Sequence, residues 1–195
     1  MGWVHAQEGR MGAEVEHLKE GVPLDLEKGA CYLVKEKKPD LSYRLFEILL
    51  QSKIPGLCIT RQYPERVRRE RGLTDVRIIW LSHTPGQDYH SPAAIGALAK
   101  LIQKFVDDNG GEGAILLDGL EYLIINNGFL QTLMIVEHLN EFIMQRKGIL
   151  LMPVSPETLE EKELALLERN VEVLESPAVK TDLETREVSR LLDTY

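Results

Sequence analysis

Apolar positions along this chain fall into two alternating rhythms. Short, nearly continuous apolar runs occur at ACYLV (30–34), GLCIT (56–60), DVRIIWLS (75–82), AILLD (114–118), GILLMPVS (148–155) and VEVLE (171–175), and they read as strands. Between them the spacing turns helical. LSYRLFEILLQS (41–52) carries apolar residues at 41, 45, 46, 49 and 50, with Asp40 as its expected N-cap and Pro39 just before it. Pro64 opens the charged helix PERVRRER, which Gly72 closes. Ser91 and Pro92 start another helix, with its pattern from Ala93 to about Val106. A long amphipathic helix runs from Gly128 to Gln145, and a charged one from Pro156 to Arg169. The segments 83–92 and 108–113 read as loop and turn.

Strand–helix alternation with continuous apolar strands predicts an α/β fold: a three-layer, doubly wound, mainly parallel sheet of Rossmann-like type. The expected division is an N-terminal extension (1–21), an α/β domain (22–175) and a C-terminal helix or tail (176–195). Leu183, Val188, Leu191 and Leu192 form the apolar stripe of that last helix. Packing on its own domain is favoured over docking to a partner.

Composition narrows the function classes. The chain has 195 residues, 44% of them hydrophobic and 28% charged, which suits a folded globular protein. No apolar run approaches the roughly 20 residues of a membrane helix, and the first twenty residues lack a signal-peptide core. A cytoplasmic location without membrane insertion is the expectation. A net charge of −8 argues against nucleic acid as the partner. Cys31 and Cys58 both sit inside apolar runs and are expected as buried core residues. No metal set or cofactor motif is present, so neither is expected.

Several segments together resemble a family. They are GACYLVKEKKPD, GLCITRQYPERVRRERGL, RIIWLS and ILLDGLEYLIINNGF. The residues that carry the likeness are Thr60, Arg61 and Pro64, the Trp-Leu-Ser at 80–82, the Leu-Asp-Gly-x-Glu-Tyr-Leu segment at 117–123, Asn127 and Phe129. The chain resembles the archaeal domain of unknown function 835, over about residues 22–175. That family is in turn similar to RecA/KaiC-type ATPases. The resemblance implies a RecA-like architecture and a place in signalling or regulation, without a settled activity. In the ATPases the first strand leads into a phosphate loop and a later strand ends in a metal-associated acid.

Phosphate loops need glycines whose amides curl around the phosphates, followed by Lys and Ser or Thr. The corresponding stretch here, VKEKKPDLSYRLF (34–46), has no glycine, and Pro39 has no amide hydrogen. Lys35, Lys37 and Lys38 supply positive charge there, and Glu36 and Asp40 would repel phosphate. Asp118 ends a strand, on the edge where open α/β sheets place ligands. It reads either as a structural acceptor, with Arg61 as its natural partner, or as half of a carboxylate pair with Glu121 that binds a cation or basic group. Arg61, Arg66, Arg68, Arg69 and Arg71 form a basic cluster, read as a solvated face compensated by Glu65 and Glu70 or as an anion site. Tyr122 and Asn127 are candidates for a pocket rim, and Trp80 is expected in the core.

The favoured function is a non-catalytic regulatory or protein-interaction domain on a degenerate ATPase-like scaffold, with a protein partner and a possible homodimer. The alternative is a nucleotide or anion binder using Lys35, Arg61 and Asp118, with weak or no hydrolysis. Candidate binding residues are Lys35, Arg61, Arg66, Arg69, Asp118, Glu121 and Asn127, and no residue is assigned a catalytic role.

Overall fold

The structure is a computed structural model that describes residues 26–176. The N-terminal extension, and all but the first residue of the C-terminal tail, lie outside the described residues. Chain order is β1 (Ala30–Lys35), α1 (Asp40–Gln51), β2 (Gly56–Thr60), α2 (Pro64–Arg71), β3 (Arg77–Leu81), β4 (Tyr89–His90), α3 (Ile95–Asp108), β5 (Glu112–Asp118), α4 (Leu120–Asn127), α5 (Phe129–Met144), β6 (Lys147–Val154), a 3-10 turn (Pro156–Thr158), α6 (Glu161–Glu168) and β7 (Glu172–Glu175).

Seven strands form one sheet in the order β4-β3-β2-β5-β6-β1-β7, and every pairing is parallel. The strands read as continuous apolar runs because both faces of the sheet are covered. Strand alternation sorts their side chains into two cores. Cys31 and Leu33 of β1, Ile115 and Leu117 of β5, and Leu150 and Met152 of β6 face α3, α4, α5 and α6. Tyr32 and Val34, Ala114 and Leu116, and Ile149 and Leu151 face α1 and α2 instead. The result is the three-layer architecture that the spacing predicts. Each fully buried Leu, Ile or Phe in these layers contributes about 1.5–3 kcal/mol of transfer free energy.

Half of the sequential strand pairs sit side by side, and two of them position the functional edge. From β2 the chain runs outward through α2 to its neighbour β3. From β5, on the other flank of β2, it runs through α4 and α5 the opposite way to β6. The chain therefore leaves two adjacent strands in opposite directions, which opens a crevice above their C-terminal ends. Those ends are Thr60 and Asp118, register partners across the β2–β5 ladder. Pro153 lies in a central strand, where a missing amide hydrogen is normally costly. The β5–β6 ladder stops at Leu116–Leu151, before Pro153 is reached.

Three local expectations are corrected. α1 begins at Asp40 itself, which makes no capping bond, because the carboxylate of Glu36 takes the helix N-terminus instead. The charged segment 156–169 is not one helix: a 3-10 turn ends at Thr158 and α6 starts afresh, with Glu160 and Glu163 forming a reciprocal capping box. The segments after β3 and β5 also hold β4 and α4, which periodicity did not reveal. α4 has no clean polar stripe: Leu120 and Leu123 are buried while Ile125 is 77% exposed. Gly128, at φ +82, turns the chain sharply between α4 and α5.

Candidate functional site

Asp118 stands at the switch point, partly buried, in polar surroundings. Its Oδ2 accepts hydrogen bonds from Thr60 Oγ1 at 2.9 Å, Tyr43 Oη at 3.0 Å and Gln62 Nε2 at 3.4 Å. Tyr43 and Thr60 are fully buried, so these bonds satisfy hydroxyls that water cannot reach. The Tyr43 phenol is pushed well above its ordinary pKa, chiefly by burial. It is therefore a neutral donor at any physiological pH. Below it Cys58 is also buried, its thiol pushed up to about 12 by desolvation, so it is no nucleophile.

The expected Arg61–Asp118 pair does not form. Register explains why: Thr60 and Asp118 sit opposite each other, so their side chains meet on one face. Arg61 is one residue further, and its side chain points elsewhere. Its backbone amide donates to the Asp118 carbonyl at 3.3 Å, while its guanidinium lies over the Tyr122 ring, 4.1 Å from the centroid. His83 meets the same ring edge-on at 6.1 Å and shares a 2.9 Å hydrogen bond with Asn126 Oδ1. This lane is possible because residue 119 is glycine. A Cβ there would stand 2.8 Å from Leu81 Cδ1 and 3.4 Å from Arg61 Cγ. Gly119→Ala should displace Arg61 from Tyr122 and cost about 1–2 kcal/mol through overpacking against buried Leu81. Urea denaturation and the NMR shifts of the Tyr122 ring check both parts.

The remaining candidates are dispersed into structural roles. Glu121 accepts from the Ser155 amide at 2.9 Å, tying α4 to the end of β6, and does not form a carboxylate pair with Asp118. Asn127 donates to the carbonyls of Leu123 and Pro92, both at 2.8 Å, locking α4 to the loop before α3. Lys35 is buried at the end of β1, between Glu168 at 3.0 Å and Glu175. Burial works to lower its pKa, but the bonds to Glu175 and Glu168 outweigh it and hold the ammonium above its ordinary value. Arg66 pairs with Glu70 at 2.9 Å, and Arg69 lies 3.9 Å from the same carboxylate. Arg68 reaches Glu65, and Arg71 pairs with Asp40 at 2.7 Å while covering the Tyr43 ring. The four helix arginines thus each lie near a carboxylate, whereas Arg61, the fifth member of the cluster, does not.

The β1–α1 connection holds the least expected arrangement. Glu36 is buried, and its carboxylate accepts from the amides of Leu41 at 2.7 Å and Ser42 at 3.0 Å, and from the Ser42 hydroxyl. The chain's own anion therefore occupies the positive end of α1. No group of three or more His, Cys, Asp or Glu side chains among the described residues is arranged to hold a metal ion. Trp80, expected in the core, is only partly buried, and its Nε1 donates to the Arg61 carbonyl at 3.1 Å. Tyr43, Thr60, Gln62 and Glu36 went unassigned as site residues. Tyr43 and Thr60 carry a hydroxyl on an apolar element, and Glu36 and Gln62 are polar residues just past a strand end, patterns shared with ordinary core and capping residues.

Comparison with known proteins supports the architecture. The family described as "Protein of unknown function (DUF835)" matches residues 35–171. No curated protein matches the sequence. Among solved structures, a structural-study target from Pyrococcus horikoshii OT3 is similar with a TM-score of 0.52 and 18% identity, covering 78% of this chain and 85% of that one. A KaiC-like protein from the same hyperthermophilic archaeon gives a TM-score of 0.52 at 13% identity, covering 76% of this chain and 73% of that one. At such identities the likeness extends to the fold alone. No helix among the described residues is long and apolar enough to cross a membrane.

Proposed function

The chain belongs to the DUF835 family, and from that premise we propose that it is a non-catalytic regulatory or protein-interaction domain, built on an ATPase-like scaffold without a working phosphate loop, in archaeal signalling or regulation. One observation carries this reading: the Glu36 carboxylate holds the α1 amides that a phosphate would need. A triphosphate would have to displace a buried, hydrogen-bonded carboxylate, and like charges at that distance repel. Lys35, next to Glu36 in the chain, is already paired with two glutamates. Asp118, where an ATPase would keep its metal-associated acid, spends its Oδ2 on three protein donors.

Protein contact is supported by the outer side of α4 and α5, where Ile125, Leu130 and Met134 are 77%, 71% and 67% exposed. Exposed large apolar side chains, such as Leu130 and Met134 one helical turn apart, are a feature of interaction faces, including those of homodimers. The unit that folds and acts is proposed to span residues 22–175.

Thermal-shift titration with ATP, GTP and cyclic dinucleotides, with and without magnesium, tests the reading. We expect no shift. A ligand at a hundred times its dissociation constant would add about 2.7 kcal/mol. The competing anion-binding reading has one observation in its favour: the Arg61 guanidinium rests on Tyr122 with no carboxylate partner among the described residues. A nucleotide shift abolished by Arg61→Ala would establish that reading and end the one proposed.

A further inference from the structure

A recess lies along β3. The loop after that strand and the first turn of α2 enclose a cleft of about 350 Å³. Tyr63, Glu65, Trp80, Pro85, Gly86 and Asp88 stand on its walls. The two aromatic rings meet edge to face, with centroids 5.6 Å apart and planes at 84°. Two ring faces at nearly a right angle make two sides of a cage. The bond from Trp80 Nε1 to the Arg61 carbonyl fixes the indole by its edge.

The two charged residues of the lining, Glu65 and Asp88, are both acidic. Aromatic faces carry the negative lobe of the ring quadrupole, and Glu65 and Asp88 add carboxylates. Glu65 lies 3.5 Å from Arg68, whereas Asp88 makes no side-chain hydrogen bond or ion pair among the described residues. The arginines that stack on rings do so elsewhere: Arg61 on Tyr122, Arg71 on Tyr43 and Arg146 on Phe142. Among the described residues no side-chain cation lies over Tyr63 or Trp80. Gly86 borders the indole: a Cβ there would stand 3.9 Å from Trp80 Cζ3, in ordinary contact, so a larger side chain would reach into the cleft.

A bare lysine ammonium is a compact, strongly hydrated charge that needs hydrogen-bond acceptors, and the guanidiniums that stack in this chain lie over other rings. A methylated ammonium carries its charge under an apolar skin, sheds water cheaply and fits ring faces and nearby carboxylates together. We propose that this cleft binds a quaternary or multiply methylated ammonium group. The inference is independent of the interaction reading above and would survive its failure.

The test uses the full chain carrying Trp3→Phe, which leaves Trp80 as the sole indole. Its fluorescence is titrated with choline, with the neutral isostere of choline in which carbon replaces nitrogen, and with a short peptide bearing trimethyl-lysine or unmodified lysine. We expect saturable binding of choline or of the trimethylated peptide, roughly tenfold tighter than the neutral isostere and the unmodified peptide respectively. The tighter of the two identifies the source as a free small cation or a modified protein side chain. Tyr63→Ala and Asp88→Asn, both on the surface, should each weaken binding about fivefold, and Gly86→Leu should block it. Equal binding of the neutral isostere, the absence of any saturable signal, or indifference to both Tyr63→Ala and Asp88→Asn would overturn the proposal.

Discussion

Asp118→Ala is expected to destabilise the fold by about 3 kcal/mol, or roughly 6–12 °C in Tm for a domain of this size. The loss comes from what the carboxylate serves. Tyr43 and Thr60 are fully buried, and each donates a hydroxyl to Asp118 Oδ2. With alanine both hydroxyls lose that acceptor, and the one bond left between them spans 3.5 Å. Stranded buried donors cost about 1–3 kcal/mol each, more than a typical bond contributes when made. Asp118→Asn keeps an acceptor oxygen in place and should cost only about 1 kcal/mol. An acid held for metal or ligand chemistry behaves in the opposite way, because its removal relieves strain and leaves stability unchanged or improved. Urea unfolding of the two variants at neutral pH separates these cases. A neutral or stabilised alanine variant would return Asp118 to the functional residues.

Glu36→Ala should cost about 2–3 kcal/mol, since it frees two amides at the start of α1 together with the Ser42 hydroxyl. Glu36→Gln retains one acceptor oxygen and should lose about half of that. The acid also leaves a mark on the pH dependence. Burial, the largest influence, pushes the Glu36 carboxyl above its ordinary value, and the bonds from Ser42 and from the Leu41 and Ser42 amides pull it back only partway. The native state therefore keeps a proton that the unfolded chain has already released. Stability from this group is fully present below about pH 4.3, falls as pH rises through the raised value, and is level above it. Glutamine does not titrate. The advantage of the natural protein over Glu36→Gln should thus be largest in acid and shrink towards neutrality. Glu47, also raised by burial, is common to both proteins and drops out of the difference. An advantage that is flat, or that grows with pH, would show that the capping bonds dominate burial.

Fold and site were legible to different degrees. Continuous apolar runs between helical spacings announced a parallel sheet, because strands covered on both faces must be apolar at every position. All six expected strands formed, as did the α1, α2, α3 and α5 helices. β4 has only two residues, too few to carry a period, and its bridge to β3 depends on where the loop lands. α4 was hidden because one of its isoleucines faces outward. At the site, Asp118 stood out as an acid ending an apolar run, and that placement was right. Its partner was misjudged, because Arg61 supplies the obvious opposite charge while the true donors are a neutral tyrosine, threonine and glutamine.

By itself the order of residues determined the layers, the apolar strands, the glycine-free turn after β1 and the Asp at the end of β5. These rest on local properties: periodicity, the missing amide of proline, and the solvation cost of each side chain. Only the folded chain decided which strands became neighbours, and with that which groups met. Pairing β2 with β5 put Thr60 opposite Asp118 and brought Tyr43 over from α1, seventy-five positions away. The same packing folded Glu36 back onto its own helix and stood Tyr63 against Trp80. Such meetings depend on register and crossover direction, which are set by the burial of the whole sheet and not by any short stretch of chain.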